Sequence, residues 1–150
     1  MEIGRSVTIL LVEDDPGHAR LIEKNLSRHV SNDIIVLSDG QKALDFLFGE
    51  GDYKNSTSNS PLLVLLDLNL PVVDGFEVLK KMKENDRTKK IPVVILTTTD
   101  DPREISRCYD LGCNVYITKP VAYENFSEAI QKLGLFLSVL AIPDLESRTE

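Results

Sequence analysis

The sequence predicts an α/β fold in which five parallel strands form one sheet with helices on both faces, and three observations carry that expectation. Short apolar runs alternate along the chain with longer segments of helical periodicity. The runs are apolar throughout rather than at every second residue, which suits strands buried on both faces. The helical segments open on repeated Asp-Pro or Asp-Gly pairs, which cap a helix and start it. Each right-handed crossover brings the chain back in the same direction, so strict alternation makes the strands parallel and spreads the helices over both faces.

Val7 to Val12 is the first strand. Asp15-Pro16 then supplies an N-cap and a proline at the first helical position, followed by Ala19, Ile22 and Leu26 at helical spacing. Ile34 to Leu37 is the second strand, and Asp39-Gly40 opens a helix with Ala43, Leu44 and Leu47 inward. The link from Gly49 to Pro61, GEGDYKNSTSNSP, is polar and longer than most such links, and reads as a surface loop. Leu62 to Leu66 is the third strand; Asp74-Gly75-Phe76-Glu77 starts a helix with Phe76, Leu79 and Met82 on one face. Val93 to Leu96 is the fourth, after which Asp101-Pro102 repeats the capping device with Glu104 three residues on. Val115 to Ile117 is the fifth. The last helix carries an apolar stripe of Phe126, Ile130, Leu133, Leu137 and Leu140. A second stripe of Leu135, Phe136, Val139 and Ile142 predicts a homodimer interface, or a surface covered by the loop or tail. The core of this single domain spans residues 7–142, and the polar stretch 143–150 is a tail.

Composition narrows the function. Net charge is −7, from 24 acids against 17 bases with no basic run, which argues against nucleic-acid binding and for a protein partner. Cys108 and Cys113 lack CxxC spacing and a histidine pair, so a zinc site is not expected and reduced thiols are. The N-terminus has neither the form of a signal peptide nor the length of a membrane span, and a cytoplasmic location is expected. No DNA-binding or enzymatic module follows the last helix, so output by surface contact is expected.

The third strand ends directly in Asp67, and an ionised carboxylate there needs either water or cationic company. Glu13-Asp14-Asp15 follows the first strand, Thr97 ends the fourth, and Lys119-Pro120 follows the fifth. In a parallel sheet these residues gather at one edge, where such folds bind ligands. Three close carboxylates raise one another's pKa unless a cation sits among them, and Mg²⁺ suits such oxygen donors, with the backbone carbonyl of Asn69 able to help. Taken singly each residue has a plainer reading: the acids as helix caps, Lys119 as a surface lysine, Thr97 as an ordinary strand end. Their coincidence at four strand ends favours a site. His18 and His29 read as exposed positions on the first helix.

Glu13-Asp14, Asp67 in LLDLNLPVVDG, Thr97 in VVILTTTDD and Tyr116-Ile117-Thr118-Lys119-Pro120 together resemble the receiver domain of two-component response regulators, over about residues 7–140. The resemblance implies a flavodoxin-like, doubly wound sheet in the order 2-1-3-4-5 with five helices in three α/β/α layers. It makes Asp67 the phosphoacceptor, Glu13 and Asp14 the Mg²⁺-binding pair, Thr97 the switch hydroxyl and Lys119 the ammonium beside the phosphoryl group. Glu13 stands where many relatives have Asp, a change expected to route its metal contact through water. Asn69 and Thr99 fall where relatives vary and would tune the phosphoryl lifetime. Tyr116 would be the aromatic partner of Thr97 in a switch of the fourth helix, fifth strand and fifth helix. The Gly49–Pro61 loop and the Phe126–Pro143 ending further resemble the single-domain regulators paired with cyanobacterial and bacterial phytochromes. The partner would then be a light-sensing histidine kinase.

Three other readings stand beside this one. A phosphorylation-independent interaction module of the same fold would usually lack part of the acid, Asp, Thr, Lys set. An aspartyl-phosphate hydrolase would want an Asp where Asn69 stands. A flavin protein of this topology would want a phosphate-cradling loop where EDDPGH offers carboxylates.

Overall fold

The five apolar runs become five parallel strands. The computed structural model describes residues 7–28, 30–53, 61–120 and 122–137. In chain order the elements are β1 (Thr8–Val12), α1 (Pro16–Leu26), β2 (Ile34–Leu37), α2 (Gly40–Phe48), a 3-10 turn (Gly51–Tyr53), β3 (Leu62–Leu66), α3 (Gly75–Glu84), β4 (Val93–Thr97), α4 (Pro102–Leu111), β5 (Val115–Thr118) and α5 (Tyr123–Leu137). The sheet runs β2-β1-β3-β4-β5, every pair parallel. Strands four and five each run one residue beyond the predicted end.

Alternate residues of the central strands divide the core in two. Leu10, Val12, Val64, Leu66, Val93 and Ile95 pack with α2, α3 and α4, while Ile9, Leu11, Leu63, Leu65, Val94 and Leu96 pack with α1 and α5. β3 lies at the centre with all five residues buried, each leucine contributing roughly 1.5–3 kcal/mol through area removed from water. Four helices begin on the predicted aspartates. Asp15, Asp39, Asp74 and Asp101 each accept backbone N–H groups of the first turn, a contribution of about 1 kcal/mol apiece.

Phe76 packs against the same core as Leu79 and Met82, which Val78 joins; it is half-buried and lies beneath the Arg107 guanidinium of α4, 4.1 Å from its ring centroid. The long link closes α2 on left-handed Gly49 and then makes a 3-10 turn, so its first part is structured; residues 54–60 lie outside the described residues. Both cysteines are free and buried, and burial pushes the Cys108 thiol up to about 12.

The β3–α3 connection sets the backbone beside Asp67. A Cβ on Gly75 would stand 2.3 Å from the Asp67 carbonyl oxygen and 2.6 Å from the Leu68 Cα, and the Gly75 N–H donates to the Leu68 carbonyl at 2.9 Å. Only glycine lets α3 approach so closely. Val72 in the same loop has φ of 69° and is 78% exposed, a left-handed conformation that a β-branched residue adopts at a cost of about 1–2 kcal/mol. In urea unfolding, Gly75→Ala is expected to destabilise the fold by about 1–3 kcal/mol. Val72→Asn is expected to stabilise it by up to about 1 kcal/mol, since Asn tolerates the left-handed region.

Candidate functional site

Glu13, Asp67, Thr97 and Lys119 lie at or just past the carboxyl ends of β1, β3, β4 and β5, and Tyr116 lies within β5; ladder bonding that runs beyond the strand holds Glu13, Asp67 and Lys119 in place. The Glu13 N–H donates to the Leu37 carbonyl at 3.0 Å, the Asp67 N–H to Val12 at 3.1 Å, and the Lys119 N–H to Thr97 at 2.6 Å. These three bonds aim a carboxylate from β1, a carboxylate from β3 and an ammonium from β5 at one another.

Lys119 is the hub. Its side chain is 2% exposed, and its ammonium donates to Glu13 Oε1, to Asp67 Oδ2 at 3.1 Å and to His18 Nδ1 at 3.2 Å. The second oxygens of the acids are occupied by backbone: Glu13 Oε2 accepts the Asp15 N–H at 3.1 Å, and Asp67 Oδ1 accepts the Asn69 N–H at 3.1 Å. Asp14 is exposed at the rim, yet Glu13, Asp14 and Asp67 each bring one oxygen within 4.8 Å of the others. Burial pushes the Glu13 carboxyl up to about 7, an effect that the Lys119 hydrogen bond and charge oppose and the Asp67 charge reinforces. Asp15, by contrast, is held below the usual carboxylate range by the His18 and Gly17 N–H groups that it caps.

Thr97 ends β4 fully buried, and its hydroxyl has no hydrogen-bond partner among the described residues. The pattern of β4 sends Thr97 to the sheet face carrying Val93 and Ile95, the face against which Tyr116 packs. Tyr116 is half-buried and donates its hydroxyl to the Thr99 carbonyl at 2.6 Å, while its backbone N–H donates to the Tyr109 hydroxyl at 3.1 Å. Burial pushes its phenol up to about 12, so it remains a donor at neutral pH.

An all-oxygen set of two buried acids and one exposed acid, opposed by a single ammonium, fits a hard divalent cation. When the three acids are ionised they outweigh Lys119 by two charges, the deficit such an ion fills.

The response regulator receiver domain model matches residues 9–131. The chain belongs to the response regulator receiver family. It is 39% identical over 137 residues to the response regulator Rcp1 of Synechocystis sp., covering 90% of this chain and 92% of that protein. The crystal structure of Mn²⁺-bound Rcp1 matches at a TM-score of 0.84, with 38% identity, over 91% of this chain and 98% of its own. A response regulator receiver domain from Rhodospirillum rubrum is 59% identical, with a TM-score of 0.85 over 91% of this chain and 97% of its own. The phosphorylated cyanobacterial phytochrome response regulator RcpA is 37% identical, with a TM-score of 0.84 over 91% and 98% of the two chains. This receiver domain is thus homologous to phytochrome response regulators.

One site residue of this receiver domain departs from expectation. His18 is not an exposed helix position: its side chain is 38% exposed, its ring meets Phe126 of α5 edge-on at 5.4 Å, and it touches Lys119. The signal was present in the helical spacing, because His18 precedes buried Ile22 by four residues and shares its face. His29 lies outside the described residues.

The raised Glu13 pKa has a stability consequence. A carboxyl at about 7 folded against 4.5 unfolded contributes stability that is fully present below pH 4.5 and lost as pH rises through 7. For the metal-free protein, unfolding free energy is expected to fall between pH 5 and 8 by at most roughly 2–3 kcal/mol. Glu13→Gln should flatten that slope in urea titrations across the same range.

Proposed function

We propose that this receiver domain is the phosphoaccepting member of a two-component phosphorelay and that Asp67 takes the phosphoryl group from a histidine kinase. The observation that carries the reading is the buried hydroxyl of Thr97, without a partner among the described residues, at the edge where Lys119 meets Asp67 at 3.1 Å. An unsatisfied buried hydroxyl costs about 1–3 kcal/mol. A phosphoryl oxygen on Asp67 would give that hydroxyl its acceptor.

An Asp67 carboxylate oxygen attacks the phosphorus of a kinase phosphohistidine; the O–P bond forms as the N–P bond breaks, and the imidazole leaves with the electron pair. Lys119 turns an N–H from carboxylate toward the phosphoryl oxygens, offsetting the added negative charge. Glu13, Asp14, Asp67 and the Asn69 carbonyl would hold Mg²⁺, which when bound supplies positive charge to the carboxylates and the anionic phosphoryl group. Asn69 and Thr99, two residues past Asp67 and Thr97, tune how fast water removes the phosphate. The chain catalyses only its own phosphorylation and dephosphorylation and is not an enzyme acting on a free substrate.

Thr97 turning to the phosphoryl group frees space for Tyr116, and the pair switches the α4–β5–α5 face for a protein partner. A coupling of about 1–3 kcal/mol is enough. The likeness to RcpA, a cyanobacterial phytochrome response regulator, supports a phytochrome-type kinase as donor. We assign residues 1–150 to one receiver domain, with the matched 9–131 as its body, acting in the cytoplasm; no helix among the described residues is long and apolar enough to cross a membrane. The second apolar stripe is proposed as a homodimer interface. Leu135 is 57% exposed, and Val115, Ile117, Ala129 and Leu133 line a neighbouring apolar groove; the Phe136 side chain, Val139 and Ile142 lie outside the described residues. The complete set of acids, Asp67, Thr97 and Lys119 in one place weighs against a phosphorylation-independent module.

With Mg²⁺ and a small phosphodonor, intact-protein mass is expected to rise by one phosphate, and Asp67→Asn or removal of Mg²⁺ should abolish the gain. Phosphate uptake by Asp67→Asn would end the proposal. Thr97→Ala is expected to keep uptake while losing the change in hydrogen exchange over α4 and β5. Sedimentation at tens of micromolar that shows only monomer, phosphorylated or not, would remove the dimer.

A further inference from the structure

Lys119 has three N–H bonds and three acceptors, but only two of these belong to the phosphotransfer set. Glu13 and Asp67 are buried carboxylates; His18 is a half-exposed imidazole from the first turn of α1, its Nδ1 3.2 Å from the ammonium. An ammonium carries no lone pair, so a hydrogen bond across this contact runs from Lys119 to an Nδ1 that carries no proton, the Nε2–H tautomer. A proton on Nδ1 would set a second donor against Lys119. The surroundings hold the ring in this pose: Phe126 of α5 meets it edge-on, and Asp15 Oδ2 lies 3.9 Å from Nδ1 on the same helix. Glu13 and Asp67 meet the same ammonium, and Asp14 lies in the acid cluster beside them.

We propose that His18 is a positioning residue for Lys119. Its Nδ1 draws the third N–H toward the half-exposed side of the site, while the other two meet Glu13 and Asp67, so that the ammonium is held by all three groups. A neutral acceptor suits this role because it gives direction without adding a further negative charge to compete with phosphoryl oxygens for Lys119. The inference rests on the reading of Lys119 as the amine that contacts the phosphoryl group.

The test compares His18→Leu, which removes the acceptor, with His18→Asn, whose side-chain oxygen can stand where Nδ1 stands. Phosphorylation by acetyl phosphate with saturating Mg²⁺, followed by intact-protein mass, is expected to slow about tenfold in His18→Leu, the loss of one oriented hydrogen bond. Half-saturation by acetyl phosphate should not change, and His18→Asn should come within about threefold of the unsubstituted rate. A readout independent of activity is ¹⁵N NMR of the metal-free protein, expected to find His18 as the Nε2–H tautomer with a hydrogen-bonded Nδ1 that shifts in Lys119→Met. A normal rate in His18→Leu, failure of His18→Asn to restore it, or an Nδ1–H tautomer would each overturn the proposal. If His18→Leu does not fold, the tautomer decides alone. Asp67→Asn in the same assay separates the two readings: phosphate uptake by that variant sinks the proposed function, whereas its loss beside an unaffected His18→Leu sinks only the role of His18.

Discussion

A single buried ammonium holds together an edge of the sheet that would otherwise repel itself. Glu13, Asp14 and Asp67 bring oxygens within 4.8 Å of one another, and Lys119 is the one cation among the described residues that pairs with the buried two. Burying an ammonium costs several kcal/mol after relaxation unless its hydrogens are satisfied, and burying carboxylates is no cheaper. Each group makes the other tolerable. Burial holds the Glu13 carboxyl above its ordinary range in spite of Lys119, and three ionised acids against one ammonium leave a deficit of positive charge that a divalent ion suits.

The rest of the fold serves to hold this arrangement still. Two cores grip the sheet from either side, so the strand ends cannot shift without disturbing packed leucines and isoleucines on both faces. Ladder hydrogen bonds one residue past β3 and β5 carry the regularity of the sheet into Asp67 and Lys119. Gly75 then brings α3 against the Asp67 backbone, and Asp15 works twice, capping α1 through its carboxylate and holding Glu13 through its N–H. Precision at the site is thus inherited from the sheet together with the short connections that follow β1 and β3.

In the proposed switch, Thr97 and Tyr116 are the yielding part. Thr97 is buried with no partner for its hydroxyl among the described residues, and Tyr116 is tied down by a bond to the Thr99 carbonyl. One group waits for an acceptor, while the other has an acceptor that a loop movement would remove, which is the form of a two-state element. Helix α4 meets Tyr116 through the Tyr109 hydroxyl and meets α3 through Arg107 on Phe76.

The sequence by itself determined the elements and the parallel sheet, and it marked the acids, Thr97 and Lys119 at the strand ends, because each depends on signals within a few residues of chain. Apolar runs made strands, Asp-Pro and Asp-Gly made helix starts, and a charge at the end of a buried strand marked Asp67. Strand order and the roles of Thr97 and Tyr116 came from resemblance to a family, not from periodicity. Tertiary structure alone decided how the groups meet. Lys119 reaches Glu13, His18 and Asp67 across 106, 101 and 52 residues, and no local pattern encodes those distances. The half-exposure of Phe76 and the place of His18 likewise depend on which neighbouring helix covers them, a matter of packing between elements far apart in the chain.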